Sequence, residues 1–243
     1  MKALSFALRT AKEILRDPLT LAFGIGFPAV LMLLLSAIQA NIPVSLFEIG
    51  HLTPGIAAFG LSFLSLFSAL LIARDRSSAL LHRLYTTPLT ARDFILGYTL
   101  PMLPIALLQT VFCYLLALVL RLPWSPKLLL ALLAALPNAW LYISIGLLFG
   151  SVLTDKQAGG ICGALLTNLS AWLSGTWFDL ELVGGAFRKI AYALPFVHTV
   201  ELGRAMQAAD FRGALPHLGW VLGYAAVLFC AAVALFLRQM RRV

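Results

Sequence analysis

Six uncharged apolar runs constrain this fold more than any other feature of the sequence. Each run has roughly 20 or more residues without Asp, Glu, Lys or Arg, the length that a helix needs to cross the hydrocarbon core of a bilayer. Of 243 residues, 61% are hydrophobic and 12% are charged, which is too little charge for the surface of a soluble domain. The sequence therefore predicts an all-α integral membrane protein with six transmembrane helices, which make up a single membrane domain over residues 1–243. The predicted spans are 19–40, 54–73, 94–120, 128–150, 158–178 and 217–237.

The distribution of basic residues predicts the orientation of these spans. The formal net charge is +8, and lysine and arginine concentrate on the cytoplasmic side of membrane proteins. Twelve of the 18 lysines and arginines fall on the side that carries both termini, so both termini are predicted to be cytoplasmic. The basic charge is thus explained by topology and by contact with membrane lipid, and nucleic acid is not expected as a partner. The twelve are Lys2, Arg9, Lys12, Arg16, Arg74, Arg76, Arg83, Arg92, Lys156, Arg238, Arg241 and Arg242.

The first 17 residues have the pattern of a helix that lies in the membrane interface. Leu4, Leu8, Ala11 and Leu15 share one helical face, while most of the charged residues lie elsewhere around the helix. This amphipathic pattern is typical of interfacial helices and does not fit a signal peptide. We expect segment 1–17 to lie at the cytoplasmic surface before the first span.

Capping residues and glycine pairs make finer predictions. Thr53-Pro54 predicts a helix that begins with proline in its first turn. Capping boxes are predicted at Thr90 with Asp93 and at Thr154 with Gln157. Three glycine pairs have the spacing that lets membrane helices cross closely, although glycine is also common in such helices generally. The pairs are Gly146/Gly150, Gly159/Gly163 and Gly219/Gly223.

Groups for catalysis or ion coupling are missing from the predicted spans. The sequence has no GxSxG, no HExxH and no Gly-Lys-Ser/Thr phosphate loop, and its three cysteines lie singly in apolar runs. We therefore expect no catalytic residue, no metal site and no cofactor held by this chain. Two other classes stay open. One is an ion-coupled secondary transporter, although such a protein usually buries ionisable groups along its pathway. The other is a membrane-embedded enzyme or assembly factor, although an enzyme needs reactive groups at membrane depth.

The loop after the second predicted span carries the most specific pattern. Between Arg74 and Gly97, four apolar residues share one face of a short helix, which Thr87-Pro88 ends. The four are Leu80, Leu81, Leu84 and Tyr85. A short amphipathic helix tied to two spans can transmit the motion of a partner to both, although an ordinary interfacial loop helix has the same pattern.

This loop resembles that of the permease subunits of type-2 ABC exporters, and the order of spans is similar to that family over the whole chain. The chain departs from the family at Ser77, Ala79 and His82, where Glu, Gly and an acidic residue are frequent. Any ion pair that used those acids is therefore in doubt. The matching residues are Asp75 and Arg76, Arg83-Leu84, Thr87-Pro88 and Leu96-Gly97.

The resemblance implies a permease subunit, not itself an enzyme, that works with a separate ATPase subunit. In that family, segment 74–87 is a coupling helix that docks on the ATPase, and 151–157 makes a second, smaller contact. Two ATPase copies, which bind ATP and Mg, and a second permease chain, identical or a paralogue, would complete the ABC transporter in a bacterial-type cell (inner) membrane. In the family the two permease chains meet chiefly through their first and fifth spans. The expected coupling residues are Asp75, Arg76, Leu80, Leu81, Arg83, Leu84, Tyr85, Pro88, Asp155 and Lys156.

The segment before the last span, 178–216, is expected to form short extracellular re-entrant helices, as it does in that family. Leu194-Pro195 followed by Arg204 resembles the family's pattern in this segment. The residues alone equally allow an amphipathic surface hairpin.

Aromatic and neutral polar side chains suggest which cargo an exporter of this kind would carry. Six of them are pathway candidates, and they suit a hydrophobic or amphipathic drug, lipid or peptide. Aromatic rows in spans also commonly face lipid or neighbouring helices, so this second interpretation stays open. The candidates are Phe59, Phe63 and Phe67 on the second span and Asn168, Trp172 and Ser174 on the fifth.

Overall fold

The computed structural model describes residues 2–43, 47–78 and 90–240. All regular secondary structure in that part of the chain is helical. The helices are α1 (Lys2–Arg16), α2 (Pro18–Gln39), α3 (Ile49–Ser77), α4 (Ala91–Thr99), α5 (Met102–Val119), α6 (Leu128–Val152), α7 (155–172), α8 (Leu180–Val183), α9 (Gly185–Ala193), α10 (Pro195–Ala208) and α11 (Phe211–Met240).

Within the described residues, five helical segments are long and apolar enough to cross a membrane. Helices α4 and α5 together form one of them, with a short break at Leu100 and Pro101. The all-α membrane fold is thus confirmed. The five segments are Pro18–Gln39, Ile49–Ser77, Arg92–Val119, Leu128–Val152 and Phe211–Arg238.

The predicted span at 158–178 corresponds to α7, which is not among those five segments. Its middle part, Gly159–Leu166, is π-helical, and regular helix ends at Trp172. At 1.5 Å per residue, α7 is about 27 Å long, close to the thickness of the hydrocarbon core. Its first turn, however, carries Asp155 and Lys156, so less of its length is apolar than in the other spans.

Helix α3 lies at the centre of the molecule. Of its most apolar stretch, 89% is buried, compared with 22% for α2. It crosses α6 closely, because a Cβ at Gly146 would lie 2.7 Å from the Ser65 carbonyl oxygen and one at Gly150 would lie 2.9 Å from that of Ala69. The prediction of a close crossing is therefore confirmed for this glycine pair.

The other two glycine pairs have different surroundings. A Cβ at Gly159 or Gly163 would meet only leucine side chains, and one at Gly219 or Gly223 would have no atom within 4 Å. The Gly219/Gly223 pair thus makes no close helix crossing with any described residue.

Helix α1 divides its apolar residues between two faces. Phe6 is buried and packs edge-on against Phe94 and Tyr98 of α4, with ring centroids 5.6 and 5.1 Å apart. A Cβ at Gly97 would overlap the Phe6 ring, so a larger residue there would force this ring to move. The neighbouring face stays open, since Leu4, Leu8 and Leu15 are 60%, 56% and 58% exposed. These three leucines of the predicted apolar face are therefore largely uncovered by the described residues.

Both predicted capping boxes are present, at Thr90 with Asp93 and at Thr154 with Gln157. The predicted start at Thr53-Pro54 is wrong, because α3 begins at Ile49.

Pro54 therefore lies inside α3, where it cannot donate a hydrogen bond to the Gly50 carbonyl one turn earlier. The side-chain amide of Gln207 donates to that carbonyl instead, over 2.8 Å. A residue of α10 thus replaces the hydrogen bond that the proline removes. This contact lets the helix continue through the proline.

The segment before the last span contains three short helices, α8 to α10. Most of the α10 residues from Pro195 to Gly203 are buried. Asn138 of α6 donates to the Thr199 carbonyl over 2.9 Å, so α10 is inserted among the longer helices. Its re-entry into a membrane stays a prediction.

Candidate functional site

Three consecutive residues at the end of α3 bind different parts of the molecule. Arg74, Asp75 and Arg76 occupy its last turns, and a helix rotates by roughly 100° per residue, so their side chains point in different directions. We call this run the α3 anchor. It lies at the predicted cytoplasmic end, immediately before the loop that carries the most specific sequence pattern.

Asp75 joins α1, α3 and α4 at one carboxylate. Its oxygens accept hydrogen bonds from Nη1 and Nη2 of Arg9, over 2.8 and 3.2 Å, and from the Tyr98 hydroxyl over 2.9 Å. Asp75 is only 4% exposed. A buried carboxylate is tolerated when charge-assisted hydrogen bonds replace its hydration, so these three helix segments are held together at this point.

Arg9 binds a second carboxylate on its own helix. Its Nη2 lies 2.8 Å from Glu13 Oε2, one turn along α1. The hydrogen bond with Asp75 raises the pKa of Arg9, whereas burial raises the pKa of Glu13. Arg9 therefore remains a cation with two acidic partners.

Arg76 binds the end of α6. Its guanidinium donates to the carbonyl oxygens of Ser151 and Leu153. The last carbonyls of a helix have no partner within the helix, and the helix dipole favours a cation there. Arg76 thus caps α6 and fixes it to the end of α3.

Arg74 extends the anchor to α7. Its Nε lies 3.3 Å from Asp155 Oδ1, and the two side chains are 58% and 45% exposed. An exposed pair of this kind contributes roughly 0–1 kcal/mol, so it orients the start of α7 more than it stabilises the fold.

Four of the predicted coupling residues lie in the described part of the chain: Asp75, Arg76, Asp155 and Lys156. Asp155 pairs with Arg74, the neighbour of Asp75 in the chain, and Lys156 is exposed. Asp75 and Arg76 bind groups of the chain itself. The predicted segment 74–87 begins within α3, which continues to Ser77. The remaining coupling residues lie outside the described part of the chain, so the coupling helix stays a prediction. They are Leu80, Leu81, Arg83, Leu84, Tyr85 and Pro88.

Sequence reasoning missed Arg9 and Tyr98 as members of this site. Each lies on a helix whose periodicity was evident, but their partner is more than 20 positions away in sequence. One available signal was Asp75 itself, because an acidic residue directly after an apolar span needs a cation or a donor nearby.

The cargo candidates of the second span form a row along α3. Phe59, Phe63 and Phe67 are 7–8% exposed. Phe27 of α2 covers two of them, with its ring 6.2 Å from Phe59 and 5.6 Å from Phe63. Phe23 lies 6.2 Å from Phe63. Because Phe23 and Phe27 are themselves 46% and 36% exposed, this aromatic row reaches the surface through α2.

The candidates on the fifth predicted span lie apart from one another. Asn168 is exposed and donates to the Ala164 carbonyl over 2.7 Å, and Trp172 is 56% exposed. Ser174 is buried, and its hydroxyl lies 2.7 Å from that of Thr176. Whether any of these side chains lines a pathway stays a prediction.

A cavity of about 200 Å³ separates the charged and aromatic parts of the site. Its wall includes Glu13 and Arg74 from the charged cluster and Phe67 and Leu71 from α3. One end of the aromatic row therefore lies directly beside the α3 anchor.

No group of three or more His, Cys, Asp or Glu side chains within residues 2–43, 47–78 and 90–240 is placed to hold a metal ion. At the other end of the molecule, His198 and His217 have their Nδ1 atoms 2.8 Å apart. They bind each other and supply two potential ligands, whereas zinc sites in proteins take three or four.

The chain matches the model of a known protein family. The model of a family described as ABC-2 type transporter matches residues 3–208, from α1 through α10. The matched stretch includes the α3 anchor, Arg9, Tyr98 and the aromatic row. No curated protein matches the chain.

Proposed function

The chain belongs to the ABC-2 type transporter family, and on that premise we propose that it is the permease subunit of an ATP-driven exporter. It is a multi-pass membrane protein, and its family implies partnership with an ABC ATPase subunit. The sequence has no Gly-Lys-Ser/Thr phosphate loop. ATP would therefore be bound and hydrolysed by the partner, which also holds Mg.

The observation that carries this proposal is the α3 anchor. It forms the first part of the predicted coupling segment 74–87 and binds α1, α4, α6 and α7. When the ATPase moves the coupling helix, the end of α3 moves, and the anchor passes that displacement to four helices at once. The aromatic row begins beside the anchor, so the same motion changes the surface offered to cargo.

A complete transporter would contain two permease chains, identical or paralogous, and two ATPase copies. Helix α2 supports this arrangement, because only 22% of its most apolar stretch is buried and a row of its apolar side chains is exposed. A second permease chain would cover that face and the exposed side of α7. The exposed residues of α2 include Leu19, Phe23, Val30, Leu33 and Leu34.

The cargo is proposed to be hydrophobic or amphipathic, such as a drug, a lipid or a hydrophobic peptide. The aromatic row supplies an apolar surface. On α7, the exposed side chains of Asn168 and Trp172 add a neutral polar group and an aromatic ring. The excess of basic residues on one side supports a bacterial-type inner membrane with both termini in the cytoplasm.

Co-purification tests this function directly. The tagged chain, extracted in mild detergent from its native membrane, is expected to retain a protein with a Gly-Lys-Ser/Thr loop and to hydrolyse ATP with it. Failure to recover such a protein would contradict the exporter function.

A double variant tests whether the predicted coupling helix docks on the ATPase. Replacing Leu84 and Tyr85 by Asp is expected to abolish association with the ATPase while membrane insertion is retained. Leu182→Asp is a suitable control, because Leu182 is 82% exposed at the other end of the molecule. Normal association of the Leu84/Tyr85 variant would contradict the docking assignment.

A further inference from the structure

An open groove follows the polar side of α1. It has a volume of about 710 Å³ and is bordered by Ser5, Leu8 and five charged side chains between Arg9 and Asp17. The protein face of α1, formed by Phe6, Ala7 and Ile14, points elsewhere and is buried.

Both carboxylates of the groove are already engaged. Glu13 binds Arg9, and the oxygens of Asp17 accept hydrogen bonds from the Leu19 amide and the Thr20 hydroxyl. The groove's other two cations, Lys12 and Arg16, form no ion pair with any carboxylate of the described residues.

Lys12 and Arg16 are four residues apart, so they lie on the same side of α1, one turn from each other. One anion can bind both side chains. The groove thus presents a pair of uncompensated cations at a spacing that suits the oxygens of a phosphate group.

The surroundings identify the source of that phosphate. Leu4, Leu8 and Leu15, on the adjoining face, are more than half exposed, and α2 begins its span directly after α1 at Pro18. The cations therefore lie where apolar chain and water meet. A soluble phosphate would leave the leucines uncovered, whereas a phospholipid supplies both an anion and acyl chains.

We propose that the groove beside Lys12 and Arg16 binds the headgroup of an anionic phospholipid from the leaflet in which α1 lies. The phosphate contacts the two cations, and the acyl chains cover Leu8 and Leu15. A zwitterionic lipid fits less well, because its own ammonium group partly neutralises the phosphate.

Arg9 borders the same groove and also binds Asp75 of the α3 anchor. A lipid at Lys12 and Arg16 therefore holds α1 in the position from which Arg9 reaches the anchor. It follows that ATP-driven coupling requires anionic lipid, a consequence that rests on the proposed function. The binding site itself does not depend on that function.

Binding can be measured on the purified chain alone. Native mass spectrometry with short-chain phosphatidylglycerol and phosphatidylcholine is expected to show preferential retention of phosphatidylglycerol. Replacing both Lys12 and Arg16 by Gln is expected to weaken phosphatidylglycerol binding by about 10- to 30-fold. The matched control replaces Lys189 and Arg212, two exposed cations at the other end of the molecule, and is expected to leave binding unchanged.

Three results would overturn the site: equal binding of phosphatidylcholine, an unchanged affinity of the Lys12/Arg16 variant, or displacement of the lipid by millimolar inorganic phosphate. The last would indicate a soluble anion site. A circular dichroism spectrum and melting temperature equal to those of the unmodified chain would show that the variant is folded.

The coupling step has a separate test with the assembled transporter. In nanodiscs, its ATPase activity is expected to fall at least several-fold when phosphatidylglycerol is replaced by phosphatidylcholine. ATPase activity that does not depend on the lipid, with lipid binding intact, would overturn the coupling step alone. If no ATPase associates with the chain, the proposed function fails, and the binding measurement still decides the lipid site.

Discussion

Arg9 and Asp75 form a bidentate ion pair, with nitrogen–oxygen distances of 2.8 and 3.2 Å, between the N-terminal helix and the end of the central helix. Asp75 is buried and also accepts a hydrogen bond from Tyr98. The charge of Asp75 therefore depends on Arg9 for compensation. Phe6 of α1 packs separately on Phe94 and Tyr98 of α4, so apolar contacts hold α1 on α4 while this pair holds it on α3.

Asp75→Asn is expected to destabilise the protein by about 1.5–3 kcal/mol, because hydrogen bonds to a charged group are lost. Arg9→Gln is expected to cost at least as much, since it leaves a buried carboxylate without its cation. Thermal unfolding in detergent measures both. The double variant should be less destabilised than the sum of the two single variants, and strict additivity would contradict a direct pair.

The control for that comparison is another ion pair. Arg188 and Glu181 lie 2.6 Å apart, but their side chains are 48% and 53% exposed. Removing either charge is expected to change stability by at most about 1 kcal/mol.

The close crossing of α3 and α6 makes a second prediction. Gly146→Ala places a Cβ against the Ser65 backbone, so the two helices must separate, at a cost of about 1–3 kcal/mol. Gly219→Ala serves as the matched control, because it adds the same methyl group where no atom lies within 4 Å. That variant should be neutral or slightly stabilising. Equal melting temperatures of the two variants would show that the crossing is looser than described.

The fold was largely predictable because membrane helices follow from local composition. The apolar runs at 19–40 and 128–150 correspond closely to α2 and α6, and the capping boxes depend on residues three positions apart. Pro54 was misjudged for the opposite reason. Its place inside α3 depends on Gln207, a hydrogen-bond donor 157 positions away from Gly50, and no local pattern predicts such a contact.

The candidate site was predictable only in part for the same reason. The pattern around Asp75 and Arg76 predicted contacts with a partner subunit, which stay a prediction, and it did not indicate that both side chains bind the protein itself. Their partners come from α1, α4 and α6, and these helices meet only after packing. The burial of Phe59 behind Phe27 likewise depends on where α2 lies. The pattern of residues along α3 does not indicate the position of α2.

The contact between Gln207 and the Gly50 carbonyl makes a third prediction. Gln207→Ala is expected to cost about 0.5–1.5 kcal/mol, because Pro54 leaves that carbonyl without its usual donor. In a Pro54→Ala background, the restored backbone N–H can take over, so the same replacement should cost less. Tyr114→Phe controls for the other hydrogen bond of Gln207, which it accepts from the Tyr114 hydroxyl. Equal costs of Gln207→Ala in both backgrounds would contradict the compensation.

The histidine pair between α10 and α11 gives a prediction about pH. The Nε2 of His198 lies 3.1 Å from the Tyr192 carbonyl oxygen, which can only accept. Neutral His198 therefore carries its proton on Nε2, and its Nδ1 accepts the hydrogen bond that His217 donates from its own Nδ1. A second proton on His198 would set two N–H groups against each other over 2.8 Å.

Acidification should therefore weaken the contact between α10 and α11. Burial lowers the pKa of His198, with the neighbouring His217 acting in the same direction and the Tyr192 carbonyl and Glu201 opposing it. A lowered pKa means that the folded state favours neutral His198, so stability is full above the ordinary histidine pKa of about 6.5 and falls as the pH decreases below it. The melting temperature, and the protection of α10 amides against hydrogen exchange, should decline between pH 7.5 and 5.0. His198→Asn should reduce this decline. An undiminished decline in the His198 variant would assign the pH dependence to other groups.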